Sequence, residues 1–212
     1  LFEPTVKLLA VTDAFERTPM ELIEYAGRVD YGPNSLAKMG DASIIARWID
    51  SGHQSMVEMA DAAFEITCSR VVSHELVRHR IASFQQESQR YVKYDEEPFQ
   101  DLFYLPPELS PTEALIVEEA YEASLKAYRK LKFLGAKSQI ARYVLPNGTR
   151  TRIIMKANLR EWMHFCRLRC HPSAQPEMQL IAKQILDRLY FMYPEVFQSV
   201  VNDLQLGIRA NR

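Results

Sequence analysis

Residues 150–169 read RTRIIMKANLREWMHFCRLR, and the period of the pattern changes within the stretch. Residues 150–157 alternate polar with apolar, which predicts a strand covered on one face. Asn158 then offers a side-chain oxygen to open a helix running to about Arg169. A strand passing directly into a helix, with no GxGxxG or GxxxxGK[ST] at the junction, leaves neither a Rossmann dinucleotide fold nor a P-loop supported. Outward from this pair, residues 6–11 predict a first strand, and residues 19–28 and 35–51 predict helices, the second closed by Gly52 with His53 just beyond it. Residues 60–67 read as strand, 70–80 as helix and 89–94 as strand. An irregular stretch between Pro98 and Pro107 precedes a long helix from Pro111 to about Gly135, with Ala114, Val117, Tyr121, Leu125 and Tyr128 on its apolar face. Residues 138–144 predict a short helix stopped before Pro146, and Asn147-Gly148 a turn. Pro176 opens another helix with Met178, Ile181, Ile185, Leu189 and Met192 inward, broken at Pro194. Few strands separated by unlike elements predict an α+β fold: one domain over residues 1–212, with a largely antiparallel central sheet and flanking helices.

The 212 residues are enough to bury a core without disulfides or metal. Hydrophobic residues at 47% and only 7 glycines disfavour disorder and low complexity. Cys68, Cys166 and Cys170 are an odd number, which predicts reduced thiols and a cytoplasmic setting. No stretch approaches the roughly 20 apolar residues of a membrane helix, so no membrane partner is expected. The first residue is Leu1, so an initiator methionine or a few residues are expected to be missing.

A net charge of -1 argues against a broad polyanion binder, and no nucleic-acid partner is expected. That total is a cancellation. Residues 68–93 carry +3 and residues 138–171 carry +6, whereas residues 95–123 hold nine acids and no base. The basic windows are rich in arginine, whose planar fork suits phosphate and carboxylate, rather than in the lysine usual on solvated faces.

The densest polar cluster is Arg78-His79-Arg80, followed by Ser83, Gln85, Gln86, Glu87, Ser88, Gln89, Arg90 and Tyr91. Two arginines and a histidine complement a helix C-terminus, but the loop after them offers donors and acceptors suited to a phosphorylated nucleotide. Arg-His-Arg-x-x-Ser-x-x-x-x-Ser-x-Arg-Tyr stands complete from Arg78 to Tyr91, and it resembles the signature of the flavin-dependent thymidylate synthases, the ThyX family. Gly52-His53-Gln54-Ser55 with Glu58 resembles that family's Gly-His-x-Ser/Thr segment. The stretches Ala141-Arg142-Tyr143-Val144-Leu145-Pro146, Asn158-Leu159-Arg160, Leu168-Arg169 and Ser173-Ala174-Gln175 resemble its second half in the same order.

The resemblance implies reductive methylation of dUMP to dTMP. Methylenetetrahydrofolate would supply the carbon and NADPH, through FAD, the hydride. Carried over by position, FAD would be held by Ser55, Arg78, His79, Arg80, Gln86, Asn158, Arg160 and His164. The residues for dUMP would be Glu75, Arg78, Gln86, Glu87, Ser88, Gln89, Arg90, Arg142 and Arg169. Arg169 would act on the uracil ring, lowering the N3 pKa and making C5 nucleophilic with no enzyme thiol. His53 would lie near flavin and folate, and Ser88 reads as a phosphate-binding hydroxyl more readily than as a nucleophile, which needs an adjacent base. A homotetramer sharing its sites between subunits is implied as well. Two positions depart from the pattern: Met59 stands where many relatives have histidine, and Ser173 where some carry a histidine touching FAD.

Other readings stay open on residues alone. His164, Cys166, Cys170 and His171 lack the CxxC pairs of a structural zinc site, and no metal is expected. Cys170-His171 is also compatible with a thiol nucleophile and its base. A non-catalytic nucleotide or RNA binder using the arginine windows is the alternative from another class.

Overall fold

The computed structural model describes residues 1–13 and 15–205. In chain order the elements are β1 (Thr5–Val11), α1 (Pro19–Val29), α2 (Pro33–Leu36), α3 (Ser43–Asp50), a 3-10 turn (Ser55–Met59), β2 (Asp61–Ser69) and α4 (Arg70–Leu76). There follow β3 (Ser83–Gln86), α5 (Phe99–Leu102), α6 (Pro111–Phe133), α7 (Ser138–Ala141), a second 3-10 turn (Arg142–Val144), β4 (Arg150–Asn158), α8 (Leu159–Arg169), α9 (Pro176–Met192) and α10 (Pro194–Gln205). Among the described residues, four strands form one sheet in the order β1-β2-β4-β3. Its antiparallel sense follows from the chain ends that meet: Thr12 N–H donates to Asp61, Arg70 to Thr149, Glu87 to Arg152 and Leu159 to Ala60. The class is α+β with flanking helices, as the pattern predicts.

The alternation read in residues 150–157 is real. In β4, Thr151, Ile153, Met155 and Ala157 are buried, and Ala62, Phe64, Ile66 and Cys68 are their counterparts in β2. Asn158 Oδ1 accepts from Glu161 N–H at 2.8 Å and starts α8 where expected. The chain resolves into two compact units. One comprises residues 1–5, 66–78 and 84–154, the other residues 6–65, 79–83 and 155–212. In the first, Tyr94, Leu102, Phe103, Tyr121, Leu125, Tyr128 and Ala141 form the core, with α6 laying its predicted face on it. Gly135, at φ +87°, ends that helix. In the second, α8, α9 and α10 pack together around Trp162, Phe165, Ile181, Ile185 and Phe197. Each such fully buried side chain contributes about 1.5–3 kcal/mol. Trp162 meets Phe64 edge-on at 5.1 Å and donates Nε1–H to Ala62 O at 3.1 Å.

Three expectations are corrected. The helix over residues 35–51 is two helices, α2 and α3, because the Glu24 carboxylate accepts the N–H groups of Gly40 and Asp41 and Gly40 turns to φ +106°. The helix over 70–80 stops at Leu76, and His79 lies outside it. The strand placed at 89–94 lies instead at Ser83–Gln86. Residues 88–92 form a turn in which Tyr91 and Val92 N–H reach Ser88 O and Arg90 N–H reaches Ser88 Oγ, a local alternative to ladder pairing that serine favours. The 138–144 helix is real but tightens after Ala141 into the second 3-10 turn, and Pro194 both ends α9 and opens α10.

Candidate active site

The second unit contains a cleft of about 640 Å³ lined by Gln54, Glu58, Ile81, Asn158, Arg160, Glu161, His164 and Arg167. A smaller hollow of about 390 Å³ shares Ile81 and Asn158 with it and adds Asp61, Arg80, Ser83 and Lys156. Half of the lining comes from α8, where residues 160, 164 and 167 follow the helical repeat. Arg160 pairs with Glu58 and Lys156 with Asp61, but these side chains are one-third to one-half exposed. Solvent-exposed pairs of that kind are worth well under about 1 kcal/mol each and exchange readily for a phosphate. Arg167 is held more firmly, donating Nε–H to Asp203 at 2.6 Å and a terminal N–H to Ser199 at 3.0 Å.

From Glu161, on the cleft lining, runs a chain of three side chains, with Arg169 half-buried at its far end. His79 is 5% exposed and Glu161 7%. Arg169 Nε–H donates to His79 Nε2 at 3.1 Å, and His79 Nδ1 lies 2.9 Å from Glu161 Oε1. A guanidinium can only donate, so Nε2 must present its lone pair. The ring proton is therefore on Nδ1, donated to Glu161. The imidazole is also packed edge-on against Phe165 at 5.0 Å and faces His164 at 6.1 Å. Both ring nitrogens are thus engaged within the protein.

Arg160 and Asn158 in the cleft, with Arg80 and Lys156 in the adjoining hollow, group cations and an amide of the kind that receives phosphate oxygens. A family model described as "Thymidylate synthase complementing protein" matches residues 7–195. A flavin-dependent thymidylate synthase of Pyrococcus abyssi is 35% identical over 206 residues, covering 92% of this chain and 84% of the relative. The enzyme of the same name from Geobacter sulfurreducens is 38% identical over 190 residues, covering 85% and 81%. The chain belongs to the flavin-dependent thymidylate synthase family. A solved structure of a UMP/dUMP methylase, PolB, from Streptomyces cacaoi, bound with 5-Br dUMP, shares the fold with a TM-score of 0.80. It is 24% identical, and the match covers 94% of this chain and 95% of that one.

The residues carried over from the flavin-dependent synthases sort by unit. Arg80, Asn158, Arg160 and His164 gather at the two hollows of the second unit, with Ser55 at the start of the first 3-10 turn and His53 exposed after Gly52. Arg169 and His79 share this unit but line neither hollow. Glu75, Arg78, Gln86, Glu87, Ser88, Gln89, Arg90 and Arg142 lie in the first unit. There the Gln86 amide donates to Ser73 Oγ at 2.9 Å and to Thr151 Oγ1 at 3.1 Å, while Arg78 and Arg90 are exposed and Glu75 and Arg142 half-buried. Glu87 accepts from the Tyr94 hydroxyl at 3.0 Å with Arg152 3.8 Å away, so its carboxylate serves an internal network.

Sequence reading named neither Glu161 nor Arg167 nor Lys156. For Glu161 a signal exists: it stands three residues after the Asn158 cap, where a glutamate normally turns back to the helix start. Asn158 takes the backbone bond and the carboxylate is left for His79. Cys170 is buried, and burial beside Cys170 pushes the Cys166 thiol well up, which keeps it protonated and inert. Among the described residues no group of three or more His, Cys, Asp or Glu could hold a metal ion, and no helix is long and apolar enough to cross a membrane.

Proposed function

We propose that this chain converts dUMP to dTMP by reductive methylation, with Arg169 activating the uracil ring and no protein thiol added to it. The observation that carries the reading is the pairing of a complete Arg78–Tyr91 signature with an Arg169 whose guanidinium is anchored by a buried histidine. FAD, when bound, relays reducing equivalents from NADPH to the one-carbon unit donated by 5,10-methylenetetrahydrofolate. Arg80, Asn158, Arg160 and His164 are the residues to hold it, joined by Ser55, Arg78 and Gln86. Cations in the cleft and the hollow beside it gather the diphosphate, and Ile81 gives both an apolar flank.

For dUMP the reading assigns Arg78, Ser88, Arg90 and Arg142 to the phosphate and Glu75, Gln86 and Gln89 to the nucleoside, with Glu87, whose carboxylate is tied to Tyr94 and Arg152, contributing its backbone. Positive charge at Arg169 stabilises the uracil anion that forms when N3 loses its proton, and that anion raises electron density at C5. His53, exposed just after Gly52, is assigned to flavin and folate. Two buried thiols, with burial pushing the Cys166 thiol up, in place of an exposed thiolate fit a mechanism without covalent addition at C6. Residues 1–212 act as one catalytic domain, in the cytoplasm, and form a homotetramer whose subunits share their sites.

The test is anaerobic turnover with NADPH, FAD, dUMP and methylenetetrahydrofolate, following dTMP. Product is expected only when flavin is present, and Cys170→Ala should keep near-normal turnover. Product without flavin, or none once Cys170 is replaced, would overturn the reading.

A further inference from the structure

We infer that Glu161 and His79 form a positioning device for Arg169, and that the His79 side chain serves the reaction through that arginine, not as a ligand of FAD. The inference rests on the assignment of Arg169 to uracil proposed above. Arginine has a long, rotamer-rich side chain, and an anion-stabilising group helps most when its orientation is set before the reaction. His79 supplies that setting at Nε, the atom from which the plane of the guanidinium extends, at 3.1 Å. The imidazole in turn cannot rotate: Phe165 packs on it and Glu161 accepts its Nδ1–H at 2.9 Å.

The choice of residues is telling. The neutral imidazole gives the Nε–H of Arg169 an uncharged acceptor at 3.1 Å, with Glu161 on the far side of the ring. Glu161 also selects the tautomer. With the proton on Nδ1 the lone pair faces Arg169, whereas the opposite tautomer would aim an N–H at a group that can only donate. The pair therefore enforces an orientation that neither residue could enforce alone, in the manner of the outer residues that orient metal ligands.

The test compares two replacements of His79 that each keep one of its two bonds. In His79→Asn the shorter amide stands where Nδ1 was and can still donate to Glu161, but it presents no acceptor to the Nε–H of Arg169. In His79→Gln the longer side chain reaches the Nε2 position and presents a carbonyl oxygen to Arg169. Wild type, His79→Asn, His79→Gln and Glu161→Gln are measured as FAD-loaded enzyme for FAD affinity, dUMP affinity, dTMP turnover and the ultraviolet difference spectrum of bound dUMP, which reports ionisation at N3. Expected for His79→Asn is FAD and dUMP affinity within about threefold of wild type, kcat lowered about 100-fold and a diminished ionisation signal, because misplacement of a reacting group acts on the transition state. His79→Gln should recover at least about tenfold of that loss. Glu161→Gln, which keeps the volume but releases the tautomer, should lower kcat about tenfold with FAD retained, and it stands as the deciding variant if a His79 replacement fails to fold.

Loss of FAD in step with turnover would make His79 a flavin ligand and overturn the proposal. Equal kcat losses in His79→Asn and His79→Gln, or no loss in Glu161→Gln, would reduce the pair to packing and overturn it too. If wild type itself makes no dTMP, the function proposed above fails and this inference falls with it. If wild type turns over while the variants behave as packing mutants, only the positioning role fails.

Discussion

Arg80 and Arg169 stand in different surroundings. Arg80 lines the smaller hollow beside Lys156 and Asn158, whereas Arg169 is anchored on His79. Arg169→Ala is therefore expected to suppress dTMP formation at least about 100-fold with FAD affinity little changed, and Arg80→Ala to weaken FAD first, as read by flavin absorbance of the purified variants and turnover with excess FAD. Tyr94 supports a stability prediction. Burial first, and then the Glu87 carboxylate accepting its proton, push the Tyr94 phenol up from its ordinary value of about 10. A group raised on folding contributes stability that is full below its unfolded value and lost as pH rises past it. Urea unfolding of wild type should thus weaken between about pH 9 and pH 11, and Tyr94→Phe should show a shallower alkaline decline. Glu87 also teaches how a motif is read: it lies inside the signature at an unconstrained position, and only its partners reveal an internal role.

Among the elements, α6 is the most nearly autonomous. Ser110 and Glu113 cap it reciprocally, Pro111 sits at its first turn and Lys130 and Lys132 at its last. The Ser110 hydroxyl and N–H hold the Glu113 carboxyl below its usual range, so its contribution is present above the unfolded carboxylate value and is lost as pH falls through the lowered one. Ser110→Ala should lower Tm by about 2–4 °C at pH 7, and the gap to wild type should narrow below about pH 4; calorimetry at the two pH values checks both. Helices with such local signals were legible in the sequence. So were α8, from Asn158, and the buried face of α9, from its period. Elements set by distant partners were not. The α2–α3 break depends on Glu24 reaching Gly40 and Asp41, and the position of β3 depends on pairing with β4 and on the turn that Ser88 makes.

For the whole molecule, the net charge of -1 conceals basic windows of +3 and +6 against an acidic stretch of -9. If the arginines of those windows act on the phosphates of dUMP and FAD, the binding of dUMP should be sensitive to ionic strength even though the protein is nearly neutral. Raising NaCl from about 50 to about 500 mM shortens the screening length from somewhat over 10 Å to about 4 Å. The KM for dUMP should rise several-fold with kcat changed little, and steady-state turnover at the two salt levels measures it. A salt-independent KM would show that the cationic windows do not reach the substrate from a distance.

The sequence by itself determined the class of fold, the position of most helices, the family and the list of residue types needed to hold two phosphorylated ligands. These are legible because period, caps, turns and short signatures act between neighbours along the chain. Only the tertiary structure decided that His79 has both nitrogens engaged, that Glu161 is its partner and that Gln86 and Glu87 are tied into internal networks. Those facts depend on groups such as residues 79 and 161 or 86 and 151, far apart in the chain, arriving within hydrogen-bond distance. A hydrogen bond is directional and reaches only about 3 Å, so no local pattern announces which distant group will complete it.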